Sequence, residues 1–452
     1  MKIVIVGNGK IGSKLTSLLV KENHDVTVID NKPEALAKTL NTQDAMCIEG
    51  NGATVDVLKE AGVGKAGMLI ATTTNDELNM LCCLIAKKLG VKKTISRVRN
   101  PEYFKQIDLI KEEIGLSMVI NPEQTAANEI SRILIFPTAA KVEVFEKGRV
   151  ELVEHRIPEN SPLIGCSLQE IYKKLKIKFL ICAVQRESGI FIPSGDFIIR
   201  AGDRVSIAAT HKEIENFFSV NGSLKNKIKT VLIVGGGRIA YYLSLQLLSL
   251  GMKVKIIEKN LEKCKKLCNL LPKATIINGD GTDQELLNEE GLEHIDAFVA
   301  LSGIDEENII MSLYAKNHTN AKIITKVSRD RYINMADMLG LDSIISPKNL
   351  TTSIILSYVR SLNNTKGSSI ESLYKLVDNK VEAIEFFVKE PINNLTNIPI
   401  RDIQLKKDIL ICAIVRKRKT IIPNGDDQIE VGDSIVIATK DYSFSDLKDI
   451  LN

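Results

Sequence analysis

Two glycine-rich turns carry the residues best suited to chemistry in this chain. Gly7-Asn8-Gly9-Lys10-Ile11-Gly12 follows the apolar run KIVIV and opens a segment of helical period, KIGSKLTSLLVKE. Asp30 closes the next apolar run, DVTVID, 18 residues after Gly12. Strand, glycine turn, helix, strand and acid in this order are what a dinucleotide pyrophosphate needs. Gly7 permits a tight turn, Gly9 lets phosphate approach the backbone, and Gly12 lets helix pack closely on strand. The amide groups of Asn8, Lys10 and Ile11 lie at or near the helix N-terminus, where free N–H groups and the helix dipole favour an anion. Asp30 is placed to accept hydrogen bonds from ribose hydroxyls. Its charge repels a 2′-phosphate, which favours NAD over NADP. The second turn reads Gly235-Gly236-Gly237-Arg238-Ile239-Ala240, followed by Glu258. Ala240 replaces the third glycine, a tolerated variant. Arg238 adds a charge-assisted donor for phosphate. The bare alternative for either turn is a Rossmann-type bend that binds nothing.

Ligands of such sheets lie beyond the C-terminal ends of the strands. Asn51 and its counterpart Asp280 follow the third strand, on the adenine side. Thr73 and Thr74, with Leu301 and Ser302 in the second copy, follow the fourth, near the diphosphate and second ribose. Arg97 and its counterpart Lys326 end the fifth. Each alone is an ordinary loop residue; together they outline two nucleotide sites.

The elements that must position these residues occur twice. VGNGKIG recurs as VGGGRIA, EGNGATVDVLKEAG as NGDGTDQELLNEEG, ATTTNDELNM as ALSGIDEENI, INPEQ as ISPKN, LICA as itself, and AGDRVSIAAT as VGDSIVIATK, all at an offset of 228–230 residues or close to it. An offset this steady marks one duplicated unit of roughly 225 residues, too long for a solenoid repeat. The boundary between copies is expected near Asn221-Gly222-Ser223. Each copy begins with alternating strands and helices, which predicts a parallel sheet covered on both faces. It continues with a small α+β lobe, expected in the first copy from the strands KVEVFE, VELVEHRI, LICAVQ, FIIR and RVSIAAT and the helix LQEIYKKL. Helices over 121–137 and 347–361 join the lobes. The fold class is therefore α/β: two tandem Rossmann-like parallel-sheet domains at 1–137 and 228–361, each followed by a small α+β lobe at 138–222 and 362–452.

These residues resemble the nucleotide-binding RCK (KTN) domains that regulate potassium channels and transporters. GNGKIG with Asp30, GNGATVDVLKEAG, TNDELNM, INPEQ and the Gly-Asp pairs of the small lobes (Gly195-Asp196, Gly202-Asp203, Gly425-Asp426, Gly432-Asp433) carry the resemblance. It covers essentially the whole chain, and the duplication matches the tandem-RCK regulatory subunits of Trk-type potassium uptake. The resemblance implies NAD or NADH, or ATP/ADP, as ligands. It also implies assembly into a homo-oligomer, a tetrameric ring, docked on a membrane potassium-translocating subunit at the inner face of the cell membrane. Ala240 and Asn51 depart from the family pattern, where glycine and aspartate are usual.

Composition narrows the alternatives. In 452 residues the hydrophobic fraction is 44% and the charged fraction 26%, as in globular domains. The net charge of +4 gives no electrostatic basis for nucleic-acid binding. No apolar run is long enough to span a bilayer, which places the chain in the cytoplasm. The eight cysteines form neither a disulfide framework nor convergent pairs for zinc, so no metal site is expected. An NAD-dependent oxidoreductase is the main rival reading, and a nucleotide-binding scaffold without a membrane partner is another. Hydride transfer needs an acid/base beside the nicotinamide. None of the five histidines (His24, His155, His211, His294, His318) sits in a catalytic pattern. Tyr172 and Lys176 have a dehydrogenase-like spacing but fall in the small lobe. No catalytic residue is expected.

Overall fold

The computed structural model describes residues 1–135, 139–145, 149–175, 177–186, 188–220, 228–341, 343–363, 369–376, 381–417, 419–440, 444 and 446–452. The expected boundary at Asn221-Gly222-Ser223, and Lys176, lie outside them. The described chain divides into two compact units, and neither is one copy of the duplication. Met1–Ser131 joins Lys229–Leu356, and Arg132–Ile228 joins Ser357–Asn452. Like packs with like: the two parallel-sheet domains form one unit and the two small lobes the other.

In the first unit, strands β1 (Lys2–Val6), β2 (Asp25–Asp30), β3 (Met46–Glu49), β4 (Met68–Ala71), β5 (Lys93–Arg97) and β6 (Met118–Ile120) form a sheet in the order β3-β2-β1-β4-β5-β6. Every pairing is parallel. Its two central strands are apolar from Ile3 to Val6 and from Met68 to Ala71 because helices cover both faces; all four residues of β4 are buried. Sequence sets the helix ends. Asn75 caps Asp76–Lys88 by accepting the Leu78 N–H at 2.5 Å. Asn100 and Pro101 start Pro101–Ile114, which stops at Gly115 with φ +75°.

The small lobe of the first copy has strands β7 (Ala139–Phe145), β8 (Val150–Arg156), β9 (Phe179–Arg186), β10 (Gly189–Phe191) and β11 (Arg204–Ala209), in the antiparallel order β10-β9-β11-β8-β7. The second copy repeats the plan. Strands β12 (Thr230–Val234), β13 (Lys253–Glu258), β14 (Thr275–Asn278), β15 (Ala297–Ala300), β16 (Lys322–Lys326) and β17 (Ile344–Ile345) run β14-β13-β12-β15-β16-β17. Strands β18 (Ser369–Leu376), β19 (Val381–Phe387), β20 (Ile409–Arg416), β21 (Lys419–Ile421) and β22 (Ser434–Thr439) run β18-β19-β22-β20-β21.

Two expectations for the small lobe fail. FIIR (197–200) is not a strand and makes only the isolated bridge Ser167–Ile198. Its last amide, Arg200 N–H, is taken by the Asp203 carboxylate at 2.8 Å, which folds the segment into a turn. The helix Leu168–Leu175 forms as expected, but a further helix, His211–Val220, closes the lobe. The Leu168–Leu175 helix is represented in the second copy only by a short 3-10 turn at Ile400–Asp402.

Polar contacts hold the two parallel-sheet domains together. Asn121 Nδ2 donates to the Tyr242 hydroxyl at 3.0 Å in a buried position, and Gln246 Nε2 to Asn128 Oδ1 at 2.7 Å. Lys14 pairs with Asp330 at 3.2 Å. The helix Arg238–Ser249 is accordingly buried nearly all round, including Tyr241, Tyr242, Leu243 and Ser244. Its counterpart Lys10–Lys21 keeps one buried stripe. In the second unit the lobes share a core in which Phe145, Leu152, Cys182 and Ala208 meet Ala383, Cys412, Val436 and Ala438.

Candidate nucleotide sites

Both glycine turns have the geometry of a phosphate cradle. Gly7 and Gly235 hold φ at +95° and +103°, where a side chain is strained. A Cβ on Gly12 would lie 1.9 Å from the Gly7 carbonyl oxygen, so helix and turn touch there. A Cβ on Gly9 or Gly237 would meet nothing within 4 Å, so the open side of each turn faces free space above the helix N-terminus. Ala240 is fully buried, so the second turn absorbs the extra methyl.

The acids at the ends of β2 and β13 also build the turns. Asp30 accepts the Asn8 N–H at 2.6 Å and the Lys32 N–H at 3.0 Å. Glu258 accepts Gly236 N–H and Asn260 N–H, both at 2.8 Å. Each carboxylate is thereby locked beside its turn with lone pairs left for a ribose. Asn8 anchors the first turn further, its Nδ2 donating to Ala35 O at 2.6 Å and Thr39 Oγ1 at 2.8 Å.

The remaining candidates gather at the same sheet edges. Asn51 Oδ1 accepts Ala53 N–H at 3.0 Å, and Asp280 Oδ1 accepts Thr282 N–H at 3.1 Å, the same turn in both copies. Asp280 also pairs with Lys259 at 2.6 Å, which pulls its pKa down to about 2. Thr73 N–H donates to Asn79 Oδ1 and Ser302 N–H to Asn308 Oδ1, both at 2.8 Å. The structural counterpart of Ser302 is therefore Thr73, and that of Leu301 is Thr72, in keeping with the offset of 229 residues between ATTTNDELNM and ALSGIDEENI. A cavity of about 370 Å³ brings Gly235, Gly237, Glu258, Asp280, Leu301, Ser302 and Lys326 together.

Sequence reasoning missed a cluster of buried cations and carboxylates around Arg97 and Lys326. Burial and the neighbouring Arg99 lower the pKa of Arg97; Glu123 and Asp76 oppose this, and Arg238 of the second turn adds to the lowering. Burial likewise lowers Lys326, with Asp305 opposing and Lys10 of the first turn adding to it. Arg97 thus feels the loop cation of the other copy, and so does Lys326. Lys326 Nζ donates to Ser302 O. Arg99 Nε donates to Glu123 Oε1 at 2.7 Å, while its backbone N–H and that of Asn100 donate to Asp76 at 2.8 and 2.7 Å. Arg97 Nε, Asp76 Oδ1 and Glu123 Oε2 are buried with no partner. The Arg97 Nε–H lacks an acceptor, whereas Asp76 Oδ1 and Glu123 Oε2 lack donors, which suits a polar ligand that carries both oxyanion and hydroxyl groups. The signal in the sequence was INPEQ, whose Glu123 has Lys348 as its counterpart in ISPKN; Lys348 pairs with Asp330 at 2.8 Å.

Comparison with known proteins settles the ancestry. The TrkA-N domain family matches residues 3–122 and 231–347, and the TrkA-C domain family residues 152–221 and 388–452. The chain belongs to the TrkA family. This TrkA-family chain is 34% identical over 446 residues to the Trk system potassium uptake protein TrkA homolog 1 of Methanosarcina mazei, covering 97% of each chain. It is 32% identical over 447 residues to the Trk system potassium uptake protein TrkA of Haemophilus influenzae, covering 98% and 96%. In fold it is similar to the GsuK channel, with TM-score 0.66 at 16% identity over 97% of this chain and 76% of that one. It is equally similar to the GsuK channel bound to NAD, with TM-score 0.65. Among the described residues no helix of this TrkA-family chain is long and apolar enough to cross a membrane.

The residues of the oxidoreductase alternative have structural duties. The Tyr172 hydroxyl accepts the Ile181 N–H at 3.0 Å in the small lobe. His155 is buried edge-on against Phe217 and Phe218.

Proposed function

We propose that this chain is the nucleotide-binding regulatory subunit of a potassium uptake system, with NAD(H) or ATP/ADP at Gly7–Gly12 and Gly235–Ala240. The observation that carries the reading is the pair of open glycine turns, each with a carboxylate locked beside it and lone pairs left for a ribose. The turns belong to two domains that pack on one another. A di- or polyphosphate at either turn adds charge to its domain, so that charge biases how the domains pair. Nucleotides of different charge have different affinities for the two arrangements, which is the condition for a ligand to shift a conformational equilibrium. The unit boundaries fall inside the helices Pro122–Ile135 and Pro347–Asn363. Those helices are the levers by which such a change leaves the nucleotide domains.

The potassium path belongs to a membrane partner, and the names of the relatives support that assignment. Assembly into a homotetrameric ring is supported by exposed apolar side chains repeated at matched positions. Leu81 and Ile310 are 45% and 66% exposed, and Leu109 and Met338 79% and 83%. Each domain so presents the same apolar face to a neighbouring copy.

The test is to reconstitute the chain with its membrane subunit and measure potassium uptake with NADH, NAD, ATP and ADP, in wild type and in Asp30→Ala/Glu258→Ala. Uptake that depends on nucleotide in wild type and not in the double variant is expected. Uptake indifferent to every nucleotide refutes the regulatory role.

A further inference from the structure

The small lobe of the first copy holds a cavity of about 900 Å³ that the nucleotide reading leaves unused, lined by Arg156, Arg186, Arg200, Asp203, Glu159 and Ser188. At its floor Arg186 is clamped: Nε donates to Asp203 Oδ1 and Nη2 to Oδ2, both at 2.7 Å, and Nη2 also to Ile198 O at 3.0 Å. Asp203 is 1% exposed. The pair is rigid, and only Nη1 of Arg186 is left to face outward.

The second lobe repeats this clamp atom for atom. Arg416 Nε and Nη2 donate to Asp433 at 2.9 and 2.8 Å, and Nη2 to Gln428 O at 2.6 Å. There, however, Nη1 has a partner, Glu430 Oε1 at 2.5 Å. Glu430 and Arg200 occupy the same place, since each gives its backbone N–H to the clamping aspartate at 2.8 Å. Phe387, last residue of β19, stands where the first lobe has Arg156, last residue of β8. The duplication is an internal control. One copy covers the outward guanidinium nitrogen with its own carboxylate. The other replaces that carboxylate by arginine and adds a second arginine on the next strand. Among the described residues no ion pair engages Arg156 or Arg200, and both are exposed.

We propose that this cavity binds a phosphate-bearing small molecule, the oxyanion resting where the second lobe places the Glu430 carboxylate and taking donors from Arg186 Nη1, Arg156 and Arg200. Guanidinium groups match phosphate oxygens in pairs. Asp203 is spent on Arg186, so Arg156 and Arg200 stand against the single Glu159, and the net positive charge that remains suits an anion. The cavity exceeds the volume of phosphate itself and leaves room for the body of an ester.

The test counts sites by titration calorimetry at low ionic strength, using inorganic phosphate and glycerol 3-phosphate as probes. The variants exchange the two lobes' residues. Arg200→Glu should remove one phosphate site per chain, or weaken it at least tenfold, by supplying the carboxylate from within. Glu430→Arg with Phe387→Arg should add one. Because the differences are counted against wild type, phosphate held at the glycine turns cancels. Arg200 is exposed and glutamate is native at its counterpart, so the first variant keeps the fold; an unchanged thermal midpoint checks this. Tighter binding of the ester supports a phosphorylated metabolite, and equal binding the free ion. No phosphate binding by wild type, or a site count unchanged in Arg200→Glu, overturns the proposal.

Discussion

Replacing Asp30 by alanine should separate binding at the first turn from folding of that turn. The carboxylate holds Asn8 N–H and Lys32 N–H, and its remaining lone pairs are the proposed acceptors for ribose. A hydrogen bond to a charged group contributes about 1.5–3 kcal/mol, and each 1.4 kcal/mol is about tenfold in affinity. In a Glu258→Ala background, which isolates the first site, Asp30→Ala should therefore weaken NADH roughly ten- to hundredfold. The turn itself should persist, because Asn8 Nδ2 remains tied to Ala35 O and Thr39 Oγ1. The unliganded variant should lose about 1–3 kcal/mol from its two freed amides and still unfold cooperatively. Asp30→Asn is the control: it keeps an acceptor for Asn8 N–H and loses only the charge. Its affinity should fall between wild type and Asp30→Ala. The assay is calorimetric titration with NADH, beside circular dichroism melts without ligand. NADH affinity within twofold of wild type in folded Asp30→Ala would refute the assignment of Asp30 to the ribose.

Tyr242→Phe strands the buried Asn121 Nδ2 between the paired domains. It should cost about 1–3 kcal/mol, read as a lower denaturant midpoint. Leu109→Asp with Met338→Asp alters two side chains that are 79% and 83% exposed. Light scattering should show a smaller assembly with unchanged melting of the chain; an unchanged mass removes those positions from the ring contact. Burial pushes the Cys82 thiol up to about 12. The folded chain therefore holds its proton while the unfolded chain releases it near the ordinary value of 9. Stability from this thiol is complete below pH 9 and declines as pH rises toward 12, by up to about 1.4 kcal/mol per unit. Cys82→Ala should flatten that decline in melts between pH 8.5 and 10.5, and a slope equal to wild type would show that the thiol titrates normally.

Much of the parallel-sheet domains was legible in sequence because their determinants are local. A glycine turn, the acid closing the next strand, an Asn-Pro start and a glycine stop all act within a few residues or one strand–helix–strand. The small lobe was harder to read. FIIR has strand-like composition, but its last amide goes to Asp203, and a side chain's claim on a backbone donor leaves no trace in periodicity. The register of the loops after the fourth strands was legible, since ATTTNDELNM and ALSGIDEENI pair Thr73 with Ser302, and the hydrogen bonds of Asn79 and Asn308 share that register.

By itself the sequence determined that one unit occurs twice, that each copy starts with a strand, a glycine turn and a helix, and which acid stands beside that turn. Tertiary structure alone decided that the copies exchange partners, sheet domain with sheet domain and lobe with lobe. An order of domains along a chain is compatible with packing inside each copy or between copies, and the choice rests on surfaces that match only in three dimensions. The Asn121–Tyr242 bond and the core joining Cys182 to Cys412 each span over a hundred residues. No local propensity encodes such contacts; burial against the right partner selects them.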